Sequence, residues 1–355
     1  MRVLFLCSNG KSEASMRFRV LQFQDALRAA GHESRISSFF DERLHGRVAR
    51  AATGSFRRVV DWVDSRRVDR VFIHRESFPL SLNGYMAGLS PRVPVIFDFD
   101  DSVHLPGEGW RVHVSRPAST RMLVERADIT FAGNSFLADY ASQFSNRVRI
   151  VPTVVDTDVF RPRDVPRSPD ATPIVGWIGA PSTANFLDAI LPILDEVAKD
   201  HRFILRIVGA GRDFTLRNAP VENLPWTLAT EVSMFQDLDV GLYPLDDDPW
   251  ARGKCGFKAI QYMACGVPFV VSPVGVAADI VRDGVDGFWA TTPEAWSAHL
   301  RALLADPALR TRMGSDGRVR AVRRFSVEAL TPLWIDAVVR PEHHAAQSGP
   351  LTGYG

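Results

Sequence analysis

Short apolar segments alternate with amphipathic segments along most of the chain, and this alternation limits the folds that the chain can adopt. In the first half the apolar segments read RVLFLC, DRVFIHR, VPVIFDFD, DITFAGN and RVRIVP, and in the second half PIVGWIG, FILRIVGAG, DVGLYPL, PFVVSP and GFWA. Strands that alternate with helices predict βαβ units and a parallel sheet. Between the two runs, residues 152–173 carry five prolines and no sustained periodicity, which indicates a linker.

The two runs predict an α/β protein with two Rossmann-like domains. A chain of 355 residues is also longer than one ordinary core requires. We expect an N-terminal domain at 1–155, a linker at 156–173, a C-terminal domain at 174–322 and a helix at about 325–340 that crosses back to the first domain. The polar stretch 341–355 is expected to be a flexible tail, and its His343 and His344 are interpreted as a surface pair rather than a metal site.

Composition argues against several classes of protein. The net charge of +1 argues against broad nucleic-acid binding. Cys7, Cys255 and Cys265 form no C-x-x-C pair and have no histidine at zinc-site spacing, so we expect reduced thiols in a cytoplasmic protein and no metal. The apolar run at the N-terminus is too short for a signal peptide or a membrane span, and we interpret it as a buried strand.

Lysine is rare in this chain, and half of it falls in one short segment. The sequence has 38 arginines but four lysines, and GKCGFK places Lys254 and Lys258 four residues apart. We predict a helix that begins near Gly256, with the second lysine in its first turn. A cation there opposes the helix dipole unless an anion compensates it. The two ammonium groups, with the amides of Gly256 and Phe257, are therefore predicted to bind a diphosphate, with chance clustering as the alternative.

Two loops of the second half are suited to a close approach by a ligand. Gly179 ends a strand, and Ser182 or Thr183 is expected to cap the following helix beside a phosphate, although an ordinary glycine turn and cap would look the same. Gly209 and Gly211 in VGAGRDF allow the backbone to approach a planar ligand. The full G-x-G-x-x-G run is missing, which argues against a nicotinamide cofactor.

Other polar and aromatic residues of the second half have two interpretations each. The run Asp246, Asp247 and Asp248 is suited to a metal or to sugar hydroxyls, but equally to a solvated turn. Gln261 lies one helical turn after the second lysine, where its amide can meet ribose hydroxyls. Trp226 is suited to stacking on a nucleobase, and as a lone tryptophan it is as well suited to the core.

Arginines mark two segments of the first half. Arg17 and Arg19 start the predicted helix after the first strand, where they are expected to bind donor phosphates or a phosphorylated acceptor, or to be solvated. Residues 41–70 are arginine-rich and predict helices with a basic face. That face is suited to an anionic membrane or a lipid-linked acceptor, or is simply solvated and balanced by aspartates.

The chain resembles the family 4 retaining glycosyltransferases, which have the GT-B fold. The likeness spans roughly residues 1–340 and is carried, in this order and spacing, by IVGWIGAPSTANFL, FILRIVGAG, DLDVGLYPL, GFKAIQYMACGVPFVVSPVG and IVRDGVDGFWA. In addition, RVRIVPTVVDTDVFRP resembles the inter-domain segment of the family. The resemblance implies two Rossmann-like domains facing across a cleft. It also implies transfer of a sugar from a UDP- or GDP-linked donor to an acceptor hydroxyl, with retained configuration and without an essential metal or other cofactor.

Within this resemblance the donor binds the C-terminal domain, and a sugar, lipid-linked or small-molecule acceptor enters from the N-terminal domain. The family commonly has a Glu-x7-Glu motif, and here Gly253 and Gln261 occupy its ends. Its phosphate-binding Arg and Lys fall at or near Ala180 and Asn185. These departures leave the two GKCGFK lysines to stabilise the leaving diphosphate, and Asp247 or Asp248 to contact the donor sugar.

The segment VIFDFDDSVHL ends a strand with carboxylates and a histidine. In related enzymes a histidine or acidic residue near this place faces donor and acceptor, so Asp101 is the predicted catalytic carboxylate, with Asp100 and His104 on the acceptor. A capping role for one or two of these aspartates is the alternative. The resemblance implies no protein nucleophile, since retention in the family is attributed to front-face transfer.

Two other functions stay open on the sequence. A catalytically silent partner that binds nucleotide sugars fits the missing glutamate and cations. A sugar-nucleotide epimerase shares the fold, but the sequence lacks its expected cluster of carboxylates. We expect a cytoplasmic protein, either free or attached to the inner membrane face, and the oligomeric state is not predicted.

Overall fold

The computed structural model describes residues 1–40, 47–75, 93–107, 116–165, 167–168 and 170–341. These form two compact units. The first comprises Met1–Val154, Gly253–Cys255 and the chain from Val327 onward, and the second comprises Val155–Arg252 and Gly256–Ser326. Residues 342–355, with the predicted tail and its histidine pair, and residues 41–46 of the arginine-rich segment lie outside the described residues.

The first unit has a six-stranded parallel sheet in the order β2-β1-β3-β4-β5-β6. Its strands are β1 Arg2–Cys7, β2 Glu33–Ser38, β3 Arg70–His74, β4 Val95–Phe99, β5 Ile129–Ala132 and β6 Val148–Ile150. Among the described residues before the second unit, its helices are α1 Ala14–Arg19, α2 Gln24–Ala29, α3 Arg47–Asp64, α4 Pro117–Arg126 and α5 Ser135–Ser142. The central strands are buried along almost their whole length, as expected for a parallel sheet covered on both faces.

The segment after β1 is not the single helix that its periodicity predicts. Helix α1 ends at Arg19, a 3-10 turn follows at Leu21–Phe23, and α2 begins at Gln24. The side-chain amide of Gln22 donates to Phe18 O (2.5 Å) and that of Gln24 donates to Val20 O (2.9 Å). Side chains therefore occupy two backbone carbonyls at the point where the helix is interrupted.

The second unit has its own six-stranded parallel sheet, in the order β12-β11-β10-β7-β8-β9. Its strands are β7 Ile174–Ile178, β8 Ile204–Val208, β9 Val221–Leu224, β10 Val240–Tyr243, β11 Phe269–Val271 and β12 Phe288–Trp289, and its helices are α6 Leu191–Val197, α7 Glu231–Gln236, α8 Pro249–Arg252, α9 Phe257–Ala264, α10 Ala277–Ile280, α11 Pro293–Ala305 and α12 Pro307–Arg324. The predicted helix start near Gly256 is confirmed, since this residue is the N-cap of α9.

The last described helix, α13 Val327–Val339, belongs to the first unit. Its Trp334 is 1% exposed and stacks on Phe23 at a ring-centroid distance of 4.5 Å, with Phe5 and Phe72 beside it. This aromatic cluster fixes the helix against the first sheet. None of the helices in the described residues combines the length and the hydropathy that a bilayer crossing requires.

The order of strands in each sheet defines where a ligand is expected. In the first sheet β2 lies on one side of β1, and β3 to β6 follow on the other side, so the order reverses between β1 and β3. In the second sheet β8 and β9 lie on one side of β7, and β10 to β12 lie on the other, so the order reverses between β7 and β10. In open α/β sheets, ligands bind outside the carboxyl ends of the strands at such a reversal. The loops after β1 and β3, and those after β7 and β10, are therefore the first places to examine.

Candidate functional site

Lys258 lies at the strand reversal of the second unit. Its ammonium nitrogen is 5.4 Å from the ring centroid of Trp177 on β7 and 5.4 Å from that of Tyr243 at the end of β10. Both rings are buried, so the cation rests on two aromatic faces at the carboxyl edge of the sheet. The side chain of Lys258 is half-buried and occupies the first turn of α9, as predicted.

The start of α9 requires a glycine. Gly256 has a φ of +62°, in the left-handed region that side chains disfavour. A Cβ at this position would lie 2.4 Å from Cδ1 of Ile280, so the space for a side chain is also taken. The amides of Phe257 and Lys258 precede the hydrogen-bond ladder of the helix, which begins with Ala259 N and Ile260 N donating to Gly256 O. Together with the helix dipole, they favour an anion beside Lys258.

The loops after β7 and β8 contact each other through their backbones. Gly209 has a φ of +78°, and a Cβ there would lie 2.4 Å from Gly179 O and 3.0 Å from Cβ of Trp226. Gly211, two residues on, lies against Pro181. Trp226 is half-buried and is not part of the buried core of the second sheet. Its indole therefore stands at the edge of the glycine loops, where the sequence places a stacking residue.

The predicted helix cap at Ser182 or Thr183 is wrong in its details. The segment Pro181–Leu187 is a 3-10 helix whose N-cap is Ala180. The hydroxyl of Thr183 accepts from Ala180 N at 3.5 Å and donates to Ala180 O at 3.1 Å. Pro181 occupies the first helical position, so the 3-10 helix begins one residue before Ser182 and two residues before Thr183. Ser182 and Thr183 are both half-buried beside Gly179.

The acidic run of the second unit is structured by its own neighbours. Asp247 receives two hydrogen bonds from Arg252, at 2.7 and 3.0 Å, and these bonds lower the pKa of its carboxyl. Asp248 accepts from Ala251 N at 2.6 Å and so caps α8. Asp246 is exposed. One function of this run is therefore to terminate the loop and start a helix.

Gln261 follows Lys258 by three residues on α9 and is 4% exposed. Within the part of the chain that the structure describes, its side-chain amide makes no hydrogen bond. An amide carries two donors and two acceptor sites, so this group retains its full capacity for a polar ligand.

The segment Gly253–Cys255 belongs to the first unit. The side-chain amide of Asn134 donates to Lys254 O at 3.0 Å, and Cys255 Sγ donates to Asp100 O at 3.0 Å. A Cβ at Gly253 would lie 1.8 Å from Ser102 Oγ. The absence of a glutamate at position 253 thus has a steric reason, because Ser102 occupies the place of its side chain.

A buried polar network lies at the strand reversal of the first unit. His74, at the end of β3, places Nδ1 2.7 Å from Asp98 Oδ2 and Nε2 2.7 Å from Ser15 Oγ. Arg19 forms a two-point contact with Asp98 and donates to Val151 O at 2.5 Å. Burial alone raises the pKa of Asp98, but the charge of Arg19 and the hydrogen bond from His74 outweigh it, so the pKa lies below its usual range.

The network continues to the surface through Asp100. Its carboxylate accepts from Ser15 Oγ (2.7 Å) and from Arg75 Nε (2.7 Å), and Arg75 also lies 3.6 Å from Glu13. Burial raises the pKa of Asp100, but the effects of Arg75, His74 and Arg19 are larger together and lower it. The resulting pKa of this carboxyl is well below the usual range. Arg75 has a φ of +55°, which is strained for an arginine.

The guanidinium groups of this network are matched by carboxylates. Arg19 is paired with Asp98, and Arg75 is paired with Asp100. Ser15 has one hydroxyl proton, which it donates to Asp100. Both arginines therefore have carboxylate partners within the first unit.

His104 and Asp101 differ from their neighbours. His104 is 6% exposed, stacks on Tyr140 at 4.0 Å and has an Nδ1 without a hydrogen-bond partner among the described residues. Burial lowers its pKa to about 4, against a partial opposing effect of Asp101, so it is neutral at pH 7. Asp101 is half-buried and accepts from Ser102 N at 2.9 Å.

The two arginines predicted at the acceptor site have different environments. Arg19 is 3% exposed and is committed to Asp98, which makes it part of the network. Arg17 is half-buried and lies over the ring of Phe18 at 4.6 Å.

Three residues of the network, Ser15, His74 and Arg75, were not predicted from the sequence. The one pattern that could have indicated the last two is a histidine and arginine at the end of the strand VFIHR.

Comparison with known proteins identifies the second unit. Residues 172–306 match the family model described as "Glycosyl transferases group 1", and this part of the chain is a domain of that family. A curated relative, the D-inositol 3-phosphate glycosyltransferase of Xylanimonas cellulosilytica, is 25% identical over 225 residues, which are 54% of this chain and 51% of the relative. The chain thus spans about half the length of such relatives.

Solved structures establish the fold of the whole chain as GT-B. Sucrose-phosphate synthase from Thermosynechococcus elongatus superposes with a TM-score of 0.73 at 16% identity, covering 97% of this chain and all of that one. The Anabaena protein Alr3699/HepE, solved in complex with UDP and glucose, superposes with a TM-score of 0.68 at 15% identity, covering 96% and 99%. The predicted fold class is confirmed.

Proposed function

We propose that this protein transfers a sugar from a nucleotide diphosphate sugar to an acceptor hydroxyl. The observation that carries the proposal is the place of Lys258, on two aromatic faces at the strand reversal and in the first turn of α9. The group 1 glycosyltransferase domain at 172–306 and the curated relatives named glycosyltransferases support the same activity.

The leaving group explains why a cation is needed there. When the glycosidic bond breaks, negative charge develops on the departing nucleotide diphosphate, and groups that stabilise this charge lower the barrier. Lys258 supplies a positive charge, and the first-turn amides of α9 supply oriented donors. The left-handed Gly256 lets the backbone enter the helix at this point. We propose that these groups act in place of a metal ion and that Lys254 adds a second charge.

The rest of the donor is assigned to the neighbouring loops. Gly179 and Gly209 let the two loops pack closely against each other, and Trp226 beside them is proposed to offer a ring for the nucleobase. Gln261 has an unused amide for the ribose, and Asp247 or Asp248 is proposed to contact the sugar. Since the Anabaena protein was solved with UDP and with UDP-glucose, a UDP-linked donor is the first to test and a GDP-linked donor the second.

The decisive experiment compares three lysine variants. Lys258→Ala should lower turnover of the best donor by about a hundredfold or more, because one stabilising group at developing charge is worth that much. Lys258→Arg should retain part of the activity. Lys199→Ala is the matched control, since Lys199 is exposed and pairs with Glu196. Wild-type turnover in the Lys258→Ala protein would refute the proposed site.

Stereochemistry and metal dependence are tested on the same reaction. We propose that the anomeric configuration is retained and that no metal is required. Proton NMR of the early product should show the configuration of the donor, and chelation with EDTA should leave the rate unchanged. An inverted product, or activity that disappears with EDTA and returns with Mg²⁺, would contradict these two statements separately.

The acceptor is assigned to the carboxyl edge of the first sheet. We propose that Asp101 orients the acceptor hydroxyl, with Asp100 and His104 next to it. The curated relatives are named for D-inositol 3-phosphate, so matched panels of inositol and inositol 3-phosphate are the first acceptors to compare. Because Asp98 and Asp100 already neutralise Arg19 and Arg75, these two arginines favour the phosphorylated acceptor only weakly, and Arg17 is the better candidate for such a role.

A catalytically silent partner that binds nucleotide sugars is the second candidate. Gly253 favours it, since the side chain of Ser102 fills the place of the usual glutamate. Binding of UDP-glucose without release of UDP, across the full acceptor panel, would support this alternative. Release of UDP that depends on Lys258 would exclude it.

Helix α3 suggests how a lipid-linked acceptor would be reached. Its described outward residues are apolar rather than basic: Phe56 is 70% exposed, Val59 60% and Val63 42%, at helical spacing. Arg58, by contrast, is buried on Asp61. We propose that this stripe contacts an anionic lipid surface. Sedimentation with phosphatidylglycerol vesicles should fall for Val59→Ser, whereas Val165→Ser, at an exposed valine of the second unit, should leave it unchanged.

A further inference from the structure

A cavity of about 550 Å³ lies in the second unit, at the edge of the sheet opposite to Lys258. Pro173, Asp239 and Pro268 line it, and they directly precede β7, β10 and β11. Its other walls come from the segment that enters the second unit and from one face of α12. The cavity is therefore at the amino ends of the strands, away from the donor loops at their carboxyl ends.

The charges around this cavity are unbalanced. Four arginines line it, Arg163, Arg167, Arg310 and Arg318, but Asp239 is the one carboxylate in the lining that the structure describes. This single carboxylate is shared, since Arg163 contacts it at 3.0 Å and Arg167 lies 3.7 Å from it. It also accepts from the backbone nitrogen of Ile174. The lining thus carries an excess of three positive charges.

The two arginines of α12 are held by backbone carbonyls. Arg310 donates to Leu303 O (2.6 Å) and to Leu304 O (3.1 Å), and Arg318 donates to three carbonyls at 2.8 Å. No carboxylate of the described residues lies within 4.0 Å of either guanidinium. Burial lowers the pKa of both groups. Asp239 and Asp306 partly offset this for Arg310, against the charge of Arg163, and Asp158 partly offsets it for Arg318.

Anchoring alone does not account for this grouping. Ties to carbonyls explain why each arginine is ordered, but the lining has four guanidinium groups and one carboxylate, so a bound anion would lower their mutual repulsion. A guanidinium has five donors, so each of these arginines keeps N–H groups that its protein contacts do not use. Fixed arginines with unused donors are well suited to phosphate oxygens.

We propose that this cavity binds a phosphate-bearing small molecule, at a site separate from that of the sugar donor. Its volume is in the range of small-molecule sites and admits inorganic pyrophosphate or a phosphorylated sugar. A ligand there joins Arg163 and Arg167, which precede β7, to Arg310 and Arg318 on α12. Binding therefore stabilises the second unit and leaves the donor loops unoccupied.

The test uses inorganic pyrophosphate as the probe, on the full chain, at ionic strength held constant with NaCl. The melting temperature is followed during titration of the wild type, of Lys258→Ala and of Arg310→Gln. We expect a saturable rise in the wild type and in Lys258→Ala, and binding about tenfold weaker or more in Arg310→Gln, since a charge-assisted hydrogen bond is lost. Arg301→Gln, which removes an arginine paired with Asp200 elsewhere in the unit, is the matched control.

A second variant keeps the test independent of folding defects. Ser315 is exposed and lines the cavity, so Ser315→Glu adds a carboxylate in place of the anion. It should raise the melting temperature without ligand, and in the Lys258→Ala background it should abolish the response to pyrophosphate. The proposal is overturned if pyrophosphate gives no saturable response, or if Lys258→Ala abolishes the response while Arg310→Gln and Ser315→Glu keep it. The last result would place all binding at the donor site.

Discussion

The strand reversals of the two sheets hold cations in different ways. In the first unit Arg19 is paired with Asp98, and Arg75 is paired with Asp100. In the second unit Lys258 lies over two aromatic rings at the start of a helix. The same architecture therefore places cations beside carboxylates in one unit and beside aromatic rings in the other, where we propose an anion site. The residues around each reversal, rather than its position in the fold, distinguish the two sites.

The largest expected effect comes from breaking the buried pair of Arg19 and Asp98. Asp98→Ala leaves Arg19 buried without its carboxylate, which should lower the free energy of unfolding by about 3–5 kcal/mol. Urea denaturation measures the loss. Asp247→Ala is the control, because it breaks an exposed pair with Arg252 and should cost about 0–1 kcal/mol. Equal losses in the two variants would show that burial of the pair does not matter.

The next effect tests the helix start of the second unit. Gly256→Ala forces a side chain into a left-handed residue, at about 1–2 kcal/mol, and against Ile280. Both stability and donor binding should fall, as measured by calorimetry with UDP. Gly284→Ala has a similar φ of +72° but nothing within 4 Å of the added Cβ, so it should cost the backbone strain alone. A Gly256→Ala protein with normal affinity for UDP would remove α9 from the proposed site.

A comparable effect is expected where the usual glutamate is missing. Gly253→Ala places Cβ against Ser102 Oγ and should destabilise the first unit by about 1–3 kcal/mol through overpacking. The double variant with Ser102→Gly should recover part of that loss. If the single variant is as stable as the wild type, the steric reason for Gly253 fails.

The last prediction concerns a dependence of stability on pH in the first unit. His104 has a folded pKa of about 4, below its ordinary value of 6.5, so the unfolded chain binds more protons between these pH values. Stability should therefore fall as the pH is lowered from 6.5 to 4. His104→Phe keeps a ring against Tyr140 and should reduce this slope. Melting temperatures measured across the pH range give this slope. An unchanged slope in His104→Phe would contradict the assignment.

Local sequence patterns predicted much of the second unit. The helix at Phe257–Ala264 starts where Gly256 indicated, because a helix start depends on neighbouring residues. The parallel sheet follows from the alternation of strands and helices, and the glycine loops at Gly179 and Gly209 follow from turn chemistry. The 3-10 helix that begins at Pro181 was not predicted, because the sequence is compatible both with a start at this proline and with a later start capped by a hydroxyl. The interruption after α1 was missed because it depends on two glutamine side chains.

The sequence by itself determined the fold class and singled out Lys258, because periodicity, glycine placement and the rarity of lysine are properties of neighbouring residues. The tertiary structure decided which groups surround each charge. Ser15, His74 and Asp98 are far apart in the chain and meet only because parallel strands bring their carboxyl ends together. Whether a cation binds a ligand or a carboxylate of its own protein depends on such distant contacts.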